Sequence, residues 1–227
     1  MVKPARWMDT LSIVFSMAVV IISAAWVWQR GTFNVSLADD ATLNWHLVRS
    51  AGLSAYFLMT IAMVWGLAVS SRLVKDWSPG VLSMLLHSTI SYLSVIFAAG
   101  HALLLLRDDY YLYRVTDLVI PFVGPYRPFA VGLGVLAFWL GLMIALSFSV
   151  KKRIGHQNWK RLHTLSYGSY GLITAHALLA GTDAHLLGFK VSLAAGVMAV
   201  IMLLAYRIGK TGSTPSKPSK TASAKQP

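Results

Sequence analysis

Residues 80–106 read GVLSMLLHSTISYLSVIFAAGHALLLL, 27 positions with no Asp, Glu, Lys or Arg and with histidine at 87 and 101. A run this long and apolar suits a helix crossing the hydrocarbon core of a bilayer, which needs about 20 residues. Five further stretches meet the same test, near 9–28, 46–71, 128–150, 158–180 and 188–207. The expected fold is therefore an all-α integral membrane bundle of six transmembrane helices over 1–210. The tail 211–227, built of Ser, Thr, Pro, Lys and Ala without a hydrophobic anchor, is expected to be a disordered cytoplasmic end.

Composition agrees. The 227-residue chain is 56% apolar and 12% charged, about half the charge fraction of an average soluble domain. It has no cysteine, which excludes thiolate-held iron–sulfur clusters, Cys-ligated zinc, C-x-x-C-H haem attachment and disulfides. The first stretch has Lys3 and Arg6 ahead of its apolar run, like a signal peptide, but the run is too long for an ordinary signal core and is expected to be a retained helix. Between spans three and four, Pro121, Gly124, Pro125 and Pro128 break helix, while Tyr110, Tyr111, Tyr113 and Phe122 suit a membrane interface.

The net charge of +12 is topological. Distributing charges to alternate sides of six spans puts fourteen basic and two acidic residues on the side of Lys3, Arg72, Lys151, Lys160 and Arg207. The side of Arg49, Arg107, Arg127 and Asp183 carries six of each sign. The positive-inside rule then places both termini in the cytoplasm of an inner (plasma) membrane protein whose surroundings are lipid, and no nucleic-acid partner is expected.

Ionisable side chains at membrane depth point to function. His46, His156 and His185 fall at span ends or in loops and are expected to be solvated or interfacial. His87 and His101 lie on span three, His163 and His176 on span five. A 14-residue separation turns an α-helix by about 1400°, so His87 and His101 lie within about 40° of one face and about 21 Å apart in depth. Spans three and five run in the same direction, which pairs His87 with His163 in the cytoplasmic half and His101 with His176 in the outer half. Each pair offers two neutral imidazoles, and a porphyrin supplies the other four ligands of octahedral iron. Four such histidines, without a membrane carboxylate to complete a proton relay or a zinc site, are read economically as ligands of two b-type haems between helices 3 and 5. The 13-residue interval from His163 to His176 is awkward, since an ideal helix splays them by about 140°. Gly168 and Gly171 between them allow a local bend or tightening, and ring rotamers can absorb part of the offset.

At these residues the chain resembles the ferric reductase-like transmembrane family, which includes the haem domains of NADPH oxidases and metalloreductases and the haem subunit of the bacterial periplasmic methionine sulfoxide reductase. The resemblance covers Gly52 to Leu179. It rests on Gly52-Leu53-Ser54-Ala55-Tyr56 leading to Ser71-Arg72, on His87 and His101, on Tyr126-Arg127-Pro128, and most specifically on Trp159-Lys160-Arg161-Leu162-His163-Thr164-Leu165-Ser166-Tyr167 with His176 beyond it. Intervals of 14 and 13 are also those of the oxidase branch. The resemblance implies a six-helix haem domain that moves electrons across a membrane. Oxidases and ferric reductases carry flavin and NADPH domains after the last helix, whereas only 20 residues follow position 207 here. A separate flavoprotein, ferredoxin-like carrier or quinol is therefore expected to donate electrons, with a periplasmic protein as a candidate acceptor. Many members of the sulfoxide reductase branch lack a histidine at the position of His87, so the chain stands between the two branches.

Arg161 and Lys160 on the inside, and Arg49, Arg107 or Arg127 outside, are candidate partners for haem propionates. Gly132-Leu133-Gly134-Val135-Leu136-Ala137 fits G-x-G-x-x-A but lies inside an apolar span with no preceding strand, and is read as close helix packing. The principal function expected is electron transfer as one subunit of an oxidoreductase. The alternatives are a terminal reductase of ferric ion or dioxygen at the outer haem, and a haem-free transporter or assembly factor.

Overall fold

The computed structural model describes residues 14–15, 17–18, 21–22, 41–76 and 78–212. Its elements are α1 (Ala41–Ser70), α2 (Gly80–Leu104), the short α3 (Val115–Val119), α4 (Pro128–Ile154), α5 (His156–Thr164), α6 (Ser166–Ala180) and α7 (Leu187–Gly212), with single 3₁₀ turns at Leu105–Arg107 and Thr182–His185. Among the described residues there is no strand.

Four helical segments are long and apolar enough to cross a membrane: Leu43–Ser70, Gly80–Arg107, Pro128–Ile154 and Leu187–Lys210. They correspond to four of the six expected spans. Of the expected first span, 9–28, only six residues are described, all helical, and residues 213–227 of the expected tail lie outside the described residues. The expected fifth span, 158–180, consists of two helices of 9 and 15 residues separated by Leu165, and neither alone reaches the length of a span.

Local sequence explains where the helices stop. Pro128 occupies the first turn of α4, where its missing N–H costs nothing. At the other end Lys151, Lys152 and Arg153 face the negative pole of the helix, and Gly155 takes φ 82°, a conformation that glycine adopts without a Cβ penalty. The chain leaves that glycine directly into α5. The α5–α6 break falls at Leu165, whose N–H bonds the Leu162 carbonyl three residues back at 3.0 Å instead of continuing the four-residue ladder. The interruption of the ladder thus falls at Leu165 and not at Gly168 or Gly171.

α1 and α2 form one antiparallel pair, α4 and α6 another, and α7 lies along α1. Backbone carbonyls take the polar tips of side chains between helices: Trp65 Nε1 donates to Ser83 O at 3.0 Å, Tyr92 Oη to Ala145 O at 3.3 Å and Ser169 Oγ to Ala137 O at 3.0 Å. Where water is excluded such groups must be satisfied within the protein. A core of Tyr56, Met63, Leu67, Tyr170, Leu193 and Val200 joins α1, α6 and α7. Large apolar side chains such as Leu187, Val191, Ile201 and Met202 remain exposed on α7. An exposed apolar face of this kind is what lipid covers.

Candidate functional site

Four histidines, carried by α2, α5 and α6, form two couples. His87 on α2 faces His163 on α5, ring centres 6.2 Å apart and planes at 74°. His101 on α2 faces His176 on α6, centres 6.3 Å apart and planes at 75°. Leu165, with φ −62° and ψ −12°, interrupts the ladder between α5 and α6, and His163 and His176 lie on either side of that interruption, each facing a histidine of α2.

Each of three rings rests on a glycine of the neighbouring helix. A Cβ at Gly52 would lie 2.9 Å from His101 Nδ1, one at Gly66 2.9 Å from His87 Cε1, and one at Gly134 2.7 Å from His176 Nδ1. These separations are shorter than van der Waals contact, so any larger residue would displace the ring. Gly52 and Gly66 are 14 residues apart on α1, as His87 and His101 are on the antiparallel α2, and one helix register satisfies both contacts. Thirteen residues along α4 from Gly134, the interval from His176 back to His163, stands Ser147, which is buried and bonds Ile144 O at 2.7 Å. His163 lies instead against Trp159, with ring centres 5.1 Å apart and planes at 20°.

The carbonyl four residues before each cradle glycine is the next contact. His101 Nδ1 lies 2.8 Å from Val48 O and His176 Nδ1 2.9 Å from Ala130 O. A carbonyl only accepts, so both Nδ1 atoms carry the proton and leave the Nε2 lone pair available to a metal. His87 differs. The Ala62 backbone, four residues before Gly66, interacts with its ring, yet His87 Nδ1 is buried without a hydrogen-bond partner among the described residues.

A cavity of about 430 Å³ lies at the His87–His163 couple, lined also by Tyr92, Lys160, Tyr167 and Arg207. That volume is within the range of small-molecule and cofactor sites, about 300–1,000 Å³. Arg207 Nη1 donates to Tyr167 Oη at 3.1 Å. Of the expected cationic partners inside, Lys160 lines this cavity, and Arg161 is exposed and does not. At the other end Arg49 forms an ion pair with the buried Asp183 and stacks its guanidinium 4.0 Å from the centre of the Trp45 ring. Arg127 donates to Leu179 O. Arg107 lines an apolar surface groove with Ala51, Phe97 and Gly100.

His156, expected to be solvated or interfacial, is exposed and also lines the cavity and stacks on Trp159 at 5.8 Å. His46 is exposed beside Trp45, and the exposed His185 is placed 2.7 Å from Thr182 O. Gly66 and Gly134 are site residues that sequence reasoning missed in this role. The 14-residue interval from Gly52 was the available signal for Gly66. Gly134 was read only as close helix packing, and its partner proves to be a histidine ring.

Haem fits these donors on three observations. Each couple presents two imidazole rings, and an octahedral metal held between them would take four more ligands from elsewhere. Two metal–imidazole bonds of about 2.0 Å, with roughly 1.15 Å from nitrogen to ring centre, would set the centres about 6.3 Å apart. The glycine cradles hold three of the four rings at fixed positions. Comparison with protein-family models, with curated proteins and with solved structures yields no match to the chain.

Proposed function

We propose that the chain is a b-type cytochrome of the ferric reductase-like kind, which carries electrons across a membrane through two bis-histidine haems and exchanges them with separate donor and acceptor molecules. The observation that supports this best is the pair of histidine couples, at 6.2 and 6.3 Å, stacked along α2 at an interval of about 21 Å. When bound, haem supplies reversible one-electron chemistry and four equatorial nitrogens.

The residues of the chain bind and orient. His87 and His163 would hold one iron, His101 and His176 the other. Val48 and Ala130 fix the tautomer of two ligands through their carbonyls. Gly52, Gly66 and Gly134 let the neighbouring backbones come close enough to fix three of the rings. Lys160 and Arg207 place positive charge along the wall of one site, where a propionate would be neutralised. The excess of Lys and Arg on one set of loops orients that site toward the cytoplasm, with both termini on the same side.

The visible spectrum of the purified, dithionite-reduced protein tests the proposal. Low-spin b-type bands are expected. A chain that inserts normally yet shows no Soret band, or only a high-spin spectrum, would contradict it.

A further inference from the structure

We infer that the two sites are unequal in redox potential, the His87–His163 site being the higher. The inference rests on the haem assignment above and comes from how this chain holds and surrounds its four imidazoles.

At the His101–His176 site both rings donate from Nδ1 to a backbone carbonyl, Val48 O at 2.8 Å and Ala130 O at 2.9 Å. An imidazole that donates in this way is a more basic ligand through Nε2, and a more basic ligand favours ferric iron and lowers the potential. The other site has less of this support. The Ala62 backbone interacts with the His87 ring, but Nδ1 is buried with no hydrogen bond within normal geometry among the described residues, and His163 has the face of Trp159 beside it.

Charge acts in the same sense. Arg207 and Lys151 act electrostatically on His163, and Arg207 and Lys160 share the cavity wall with His87. Nearby cations favour the less positive, ferrous state and raise the potential. At the opposite end the charge of Arg49 is compensated by Asp183, and Arg127 lies against the Leu179 carbonyl.

The experiment is a spectroelectrochemical titration of the full chain in lipid nanodiscs, with haem content measured first. Wild type should titrate in two waves. His101→Ala should remove the lower wave and His87→Ala the upper. Arg207→Gln, which keeps all four ligands, should move the upper wave down and leave the lower in place. Removal of the upper wave by His101→Ala, coincident waves in a two-haem wild type, or an Arg207→Gln effect that is absent or equal on both waves would overturn the inference while leaving two-haem binding intact. A wild-type content of one haem per chain would overturn the two-haem function itself, and the inference with it, before any potential is measured.

Discussion

A methyl group at residue 52 would stand 2.9 Å from His101 Nδ1, and one at residue 66 2.9 Å from His87 Cε1. Neither ring can retreat easily, because each lies between two packed helices. Gly52→Ala is therefore expected to lower haem occupancy at the His101–His176 site and Gly66→Ala at the His87–His163 site, each taking the content of the purified protein from about two per chain toward about one. Gly168 is the control, since a Cβ there meets nothing within 4 Å. Gly168→Ala should keep both haems and stabilise its helix by about 0.5–1 kcal/mol. Haem assay of the three variants checks this, and full occupancy in both Gly52→Ala and Gly66→Ala would dismiss the cradles as positioning devices. At this scale the sequence was half legible. Histidines in an apolar span stand out by their cost, whereas a glycine in such a span reads as ordinary helix packing until the ring it supports is known.

The break at Leu165 is the element that sets the relation between His163 and His176. With one residue inserted after Leu165, α6 would turn by about 100° relative to α5, and the two couples could not both form. Haem content of the insertion variant should fall to about one or below; two tightly bound haems would show that the break has no role in ligand placement. The interval of 13 residues exposed the problem in the sequence, but its location depended on a backbone bond from Leu165 to Leu162, which no residue preference marks. For the same reason the fifth span looked continuous in hydropathy and emerged as two helices. The loop before α4 offers a pH test. Tyr113 is buried there, and burial first, then Asp108 and neighbouring tyrosines, push its pKa up from 10.0 to about 12. Since the folded loop favours the neutral phenol, stability from this group is complete below pH 10.0 and is lost as pH rises toward about 12. Ultraviolet titration should show a late-ionising phenol that Tyr113→Phe removes. An unchanged titration curve in that variant would show that Tyr113 ionises with the other tyrosines.

For the whole molecule, apolar run length pointed to helices able to cross a membrane, and the direction of successive spans pointed to which histidines pair. Four span-length helices are found, arranged so that α2 presents one histidine to α5 and another to α6. Hydropathy could not show the pairing of α1 with α2 or of α4 with α6, because lipid-facing and helix-facing positions are equally apolar. The central claim is that these couples are two independent haem sites. Haem-to-protein ratios in four single and four double His→Ala variants test it most directly. Wild type should bind about two haems and each single variant about one; His87→Ala with His163→Ala, or His101→Ala with His176→Ala, should remain near one, because each double removes ligands of one site. Double variants across the sites, such as His87→Ala with His101→Ala, should bind almost none. A wild-type ratio of one that His87→Ala leaves unchanged, or within-site doubles that lose as much haem as cross-site doubles, would contradict it.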